Sequence, residues 1–95
     1  MDDKAWQKWR ELCKAAETKE IFNQLFDVVL THEEREQLAL RVALIEALLK
    51  GELSQRDIAK ELNVSIAKIT RGSNELKRSP QNVINFIKQT LKIKN

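Results

Sequence analysis

The sequence has 95 residues, 42% hydrophobic and 33% charged, with 17 Lys/Arg against 14 Asp/Glu for a net charge of +3. That length supports one domain, residues 1–95, near the lower end of what sustains its own core. One cysteine excludes an internal disulfide, Cys13 with the single His32 is too little for a metal site, and no apolar run approaches the ~20 residues of a membrane span.

The start, MDDKAWQKW, is acidic and aromatic where a secretory signal would be basic and then apolar, so a cytoplasmic protein is expected. The charge is unevenly spread. Residues 1–53 hold 8 Lys/Arg against 11 Asp/Glu, a balance of −3, while residues 54–95 hold 9 against 3, a balance of +6. The basic excess thus lies in the second half, where a phosphate-neutralising surface would need it, although a mildly basic helical face is often merely solvated.

Nothing alternates as a strand does, and turn residues are few, so the expected fold class is all-α. From about Lys4 to Glu17, the positions Trp6, Trp9, Leu12, Cys13 and Ala16 fall on one helical face, with both tryptophans expected to be buried against a partner helix. Residues 20–30, EIFNQLFDVVL, make a shorter helix anchored by Ile21, Phe22, Leu25, Phe26 and Val29. Thr31-His32-Glu33-Glu34 is a capping box, with Thr31 as N-cap. The helix it starts runs to about Lys50, where Gly51 can close it. Its apolar residues Leu38, Leu40, Val42, Leu44, Ile45, Leu48 and Leu49 occupy most of the circumference. Such a helix must be surrounded, and one small chain has few helices to do it. A homodimer is expected, with the N-terminal helices and this long one in a shared core.

The stretch SQRDIAKELNVSIAKITRGSN, Ser54 to Asn74, reads as two short helices joined by a tight turn. Ser54 can cap the first, with Asp57 three residues on. Ile58, Ala59 and Leu62 recur at helical spacing, and Asn63 suits the left-handed residue that ends a helix. Val64 plugs the turn. Ser65 can cap the second helix, whose inward positions are expected at Ile66, Ile69 and Gly72. Small Ala59 lets the helices cross steeply, as in a helix-turn-helix. Ala67, Lys68, Thr70 and Arg71 would then face outward, a small, polar and basic surface suited to a DNA major groove. An ordinary helical hairpin inside a core would share the two-helix pattern, but the basic balance of this half favours DNA.

Ser79-Pro80 reads as a further helix start, with Ser79 as cap and Pro80 at the first position. Val83, Ile84, Phe86, Ile87 and Leu91 mark the last amphipathic helix, and Leu91 to Asn95 is a basic end expected to fray. His32 sits at a helix start beside Glu33 and Glu34 with no nucleophile or metal set, so an enzyme is not expected.

LTHEERE, RVALIEALLKGELSQRDIAKEL and ITRGSNELK resemble the bacterial tryptophan repressor family, in order and with family-like spacing, densely from about Leu30 to Pro80. The resemblance implies an intertwined homodimer of six-helix chains, each with a helix-turn-helix at about residues 54–77. It implies a repressor that binds double-stranded operator DNA when L-tryptophan is bound as corepressor, with no other cofactor. The alternative is a ligand-independent helix-turn-helix regulator of the same superfamily.

Arg41 has no carboxylate three or four residues away to pair with; an arginine snorkelling at the helix edge would look the same. The resemblance implies instead that Arg41 and Arg71 sandwich the indole, a cation–π arrangement. Arg71 would also hold the ligand's carboxylate, helped by Thr31 of the other subunit, whose Val28 and Leu30 carbonyls would accept from the ammonium. Ile45 and Gly72 would line the pocket, with Gly72 small enough to admit the ring. Glu75 departs from the family, which commonly has Ser near the ammonium. It can pair with that ammonium or, one turn after Arg71, with the arginine; tryptophan binding is expected to persist either way.

For DNA, the resemblance implies Arg56 as a direct contact to guanine, with Ile66, Ala67, Lys68 and Thr70 facing the groove and Gln55, Asn74 and Lys77 touching phosphates. Ala59 stands where the family often has Lys. Asn63-Val64-Ser65 replaces a glycine-rich turn found in some members, which implies a stiffer reading head.

Overall fold

The capping box forms as its residues dictate. Thr31 Oγ1 accepts from the Glu34 N–H at 3.1 Å, and the Glu34 carboxylate accepts from the Thr31 N–H at 2.9 Å. Two donors left over at the helix start are thus satisfied reciprocally. In the computed structural model, which describes residues 3–94, the described residues form six α-helices and no strand. These are α1 Asp3–Ala15, α2 Lys19–Val29, α3 His32–Lys50, α4 Gln55–Leu62, α5 Ile66–Arg78 and α6 Gln81–Leu91.

Short polar side chains start most of them. Thr18, whose capping role the sequence reading missed, accepts from the Ile21 N–H at 3.1 Å. Ser54 and Ser65 accept from the N–H groups of Asp57 and Lys68, at 3.1 and 3.3 Å. Gly51, at φ +67°, closes α3 with its N–H on the Ala47 carbonyl. Asn63 takes the left-handed conformation at φ +55°, and the Val64 N–H then reaches the Ala59 carbonyl at 3.0 Å. That bond pattern ends α4 and turns the chain into α5. Ser54→Ala is expected to lower stability by about 1 kcal/mol, the usual cost of a lost N-cap, read as a shifted urea midpoint at unchanged slope.

Two expectations fail at the helix ends. Ser79 closes α5 rather than opening α6: its hydroxyl donates to the Glu75 carbonyl at 2.8 Å and its N–H to the Leu76 carbonyl. Pro80 is the cap position of α6 and not its first turn, with no side-chain cap bond. A proline holds the preceding residue out of the helical region, so α5 must stop at Ser79. The basic end carries an anchor that its composition did not suggest (Asn95 lies outside the described residues). Lys92 is left-handed at φ +59°, the Ile93 N–H reaches the Lys88 carbonyl at 2.8 Å, and Ile93 is buried. The left-handed turn is unfavourable for lysine, and burial of the next side chain offsets it.

By its contacts the chain divides into two compact units, one ending at Glu36 and one beginning at Gln37, with α3 running through the boundary. In the first unit, Trp9 meets Phe26 edge-on at 5.6 Å, and Phe26 also meets Phe22 at 4.8 Å. Asp27 pairs with Arg35, and His32 lies 3.0 Å from Glu36. Neither α1 nor α2 contains a buried residue. Trp6, expected to be buried, is 53% exposed, and Val28 is 84% exposed.

The second unit holds the core. Leu44 of α3, Ile58 and Ala59 of α4 and Ile69 of α5 form one buried cluster, with Ala47, Leu48, Leu62 and Val64 packed against it. Ala59 is where a small residue lets α4 and α5 approach, and Val64 fills the turn as its position requires. Ile66, read as inward from spacing alone, is instead exposed. It is the first residue of α5, and Ile69 one turn later takes the inward place.

A candidate ligand cavity behind a nucleic-acid face

Helix α5 has two working sides. Ile69 anchors it, fully buried, against α3 and α4. On one flank, Lys68, Arg71, Gly72, Glu75, Leu76 and Ser79 line an open cavity of about 600 Å³. Gln37, Leu40, Arg41, Leu44 and Ile45 of α3 form the facing wall, Val64 closes the turn end, and Val83, Ile84 and Ile87 of α6 complete it. The volume suits a small organic ligand, and the floor is aliphatic with charges only at the sides.

The helical repeat explains the composition. Positions 68, 71, 72, 75, 76 and 79 recur every three to four residues along α5, as do 37, 40, 41, 44 and 45 along α3, so each set makes one stripe. The cavity brings together five of the expected ligand residues: Arg41, Ile45, Arg71, Gly72 and Glu75. Neither Arg41 nor Arg71 forms an ion pair among the described residues, so both guanidinium groups can act on a ligand. Val28, Leu30 and Thr31, assigned by the resemblance to the other subunit, lie at the α2–α3 junction of the first unit. Leu30 ends α2, its N–H on the Phe26 carbonyl, and the Thr31 hydroxyl is engaged in the capping box.

Gly72 has a second reason to be small. A Cβ built there would stand 2.6 Å from Leu44 Cδ2 and 3.6 Å from Leu48 Cδ1. The absent side chain therefore lets α5 approach α3 at the cavity floor, beyond any room it leaves for a ligand. Glu75 pairs with Arg78, one turn later, and not with Arg71. Both side chains of that pair are mostly exposed, so it adds little stability.

The expected nucleic-acid residues Gln55, Arg56, Ile66, Ala67, Lys68, Thr70, Asn74 and Lys77 are all exposed. Gln55 and Arg56 open α4, and the other six lie along α5. The Thr70 hydroxyl donates to Gln55 Oε1 at 3.4 Å, linking the second turn of α5 to the first residue of α4. Lys68 stands on both surfaces. Its place in the cavity escaped the sequence reading, although its spacing of three from Arg71 and seven from Glu75 carries the signal.

Among the described residues no group of three or more His, Cys, Asp or Glu could hold a metal ion, and no helix is long and apolar enough to cross a membrane. A family model described as Trp repressor protein matches residues 4–91. The chain is 40% identical over 90 residues to a Trp operon repressor homolog of Chlamydia trachomatis serovar L2, covering 95% of this chain and 96% of the relative. It is 42% identical over 87 residues to one of Chlamydia caviae, covering 92% and 86%. To one of Vibrio cholerae it is 50% identical over 72 residues, covering 76% and 70%.

Proposed function

The chain belongs to the Trp repressor family, regulators of transcription and not enzymes, and from that premise we propose that it represses as a homodimer gripping operator DNA when L-tryptophan fills the α3–α5 cavity. The observation that carries this reading is the position of that cavity. It opens on the flank of the same helix that presents Ile66, Ala67 and Thr70 to solvent, with unpaired Arg41 and Arg71 on opposite walls. Two planar guanidinium groups over an aliphatic floor suit an indole ring, and either can take a carboxylate.

The dimer is supported by what one chain leaves uncovered. Phe86 of α6 is 67% exposed, Leu38 and Val42 of α3 are exposed, and α1 and α2 bury nothing. Large apolar side chains left exposed in this number support an interface with a second copy. A second copy covering it would make residues 1–95 a single cooperative domain and bring Val28, Leu30 and Thr31 of the partner to the cavity mouth. Such a repressor works in the cytoplasm, where its operator is.

Corepression is then a population shift. Helix-turn-helix dimers, the Trp repressor among them, place their reading helices about 34–36 Å apart, in successive major grooves. A ligand wedged between α3 and α5 favours the spacing that fits. Operator affinity measured against increasing L-tryptophan is expected to rise, and operator must raise tryptophan affinity by the same factor. Calorimetry is the suitable readout for the amino acid, because Trp6 and Trp9 dominate the fluorescence. Operator binding unchanged by tryptophan would leave the ligand-independent regulator; no salt-dependent DNA binding at all would leave neither.

A further inference from the structure

Lys68 belongs to two surfaces at once: it lines the cavity, and it is exposed beside Ala67 and Thr70 on the nucleic-acid face. Its backbone is fixed. The Lys68 N–H donates to the Ser65 hydroxyl at 3.3 Å and to the Ser65 carbonyl at 3.2 Å, and the next residue, Ile69, has no exposed surface. Nothing comparable holds the side chain. The positions three and four residues away, Val64, Ser65, Arg71 and Gly72, carry no carboxylate. Glu75, the one carboxylate of the lining, stands about 10 Å further along the axis and is paired with Arg78. No ion pair among the described residues involves Lys68. The like charge of Arg71, on the same face, favours an ammonium turned away from the cavity. A rigid root thus carries a flexible four-carbon stem with much rotamer freedom to lose.

We propose that Lys68 carries part of the coupling between cavity and DNA: a ligand packs against its stem and so orders the ammonium that meets a phosphate. The proposal rests on the tryptophan-corepressor reading and adds to it a residue that transmits occupancy of the cavity to the operator. A lysine stem lies along apolar surface while its charged end stays in water, so one side chain serves both neighbours. When the cavity is empty, DNA must immobilise this side chain itself. When it is filled, the ligand has already removed most of that freedom, and the phosphate meets an ordered cation. Immobilising one long side chain is worth about three- to tenfold in affinity. That is the share of Lys68, for each subunit, in the factor by which tryptophan tightens DNA binding; the spacing of the reading helices supplies the rest.

Calorimetry of L-tryptophan binding to the intact protein, alone and saturated with a duplex selected by it from a random-sequence pool, measures the factor, because each ligand must change the other's affinity equally. Lys68→Met keeps an apolar stem and removes the charge, and it should shrink the factor about three- to tenfold for each subunit. Lys68→Arg keeps both stem and charge and should retain most of it. A factor that Lys68→Met leaves unchanged would make Lys68 a DNA contact only and overturns the proposal. An enlarged factor, as an ammonium drawn inward by the ligand's carboxylate would give, overturns it too, as does a loss in Lys68→Arg equal to that in Lys68→Met. If tryptophan and duplex do not affect each other in the unmodified protein, the corepressor reading itself fails, whatever the variants do.

Discussion

Ile69→Ala is expected to lower stability by about 3–4 kcal/mol, toward the upper part of the range for truncating a buried isoleucine. Ile69 has no exposed surface and sits where α3, α4 and α5 meet, with Leu44, Ile58 and Ala59 around it. Ala59 has no side chain beyond its Cβ to fill the vacated space, and Ile58 is itself 1% exposed and has little freedom to move. The cavity therefore stays open and its cost adds to the lost transfer energy. Small domains have only about 5–15 kcal/mol of total stability, so the fraction lost is large. Urea denaturation at fixed protein concentration measures it, the concentration being held because a dimer's stability depends on it. Ile66→Ala, three residues earlier on the exposed side of α5, is expected to stay within about 0.5 kcal/mol. Ile69 is also the only buried residue of α5, so on the proposed reading operator affinity should fall under conditions where the protein is still folded. A loss below about 1 kcal/mol would mean that α5 is anchored elsewhere.

The contrast between Ile66 and Ile69 also marks how far the sequence carries. Helix starts whose hydrogen bonds lie within four residues were legible, because Thr31, Ser54 and Ser65 each reach an N–H three positions on. Asn63 was legible for the same local reason. Ser79 was not: its hydroxyl can cap the helix ahead or donate back to the one behind, and only the conformation imposed by Pro80 decides. Ile93 was missed because a basic tail looks solvated until a left-handed residue turns one apolar side chain inward. In the cavity, Arg41 stood out through its lack of a local carboxylate, and the 3–4 spacing predicts its facing stripe. Lys68 did not stand out, since a lysine at the start of an expected reading helix is already accounted for by DNA. The tight approach at Gly72 was invisible for a different reason: it depends on the distance between α3 and α5, which no local pattern encodes.

That approach leads to the remaining prediction. Gly72→Val is expected to destabilise the protein by about 1–2 kcal/mol and to weaken L-tryptophan binding by at least about tenfold. Helix propensity alone argues the other way, since glycine inside a helix is worse than valine by a few tenths of a kcal/mol. Packing opposes it more strongly. The new Cβ would lie 2.6 Å from Leu44 Cδ2, and Leu44 is only 6% exposed within the cluster that holds Ile58 and Ile69. Relief requires either that the Leu44 tip turn or that α5 move away from α3. Overpacking of this kind costs about 1–3 kcal/mol, which exceeds the propensity gain. Both ways out reshape the wall between Arg41 and Arg71, because Leu44 and Gly72 line the cavity together. Gly72→Ala should weaken tryptophan binding by less and leave stability nearly unchanged, since it adds the colliding atom without the two methyl groups and gains about 1 kcal/mol of helix propensity. Calorimetry and urea denaturation on the pair of variants check the order. A valine variant that is more stable and binds tryptophan as well as the parent would show that the α3–α5 spacing is free to relax, and that the narrow approach at Gly72 does not govern the ligand.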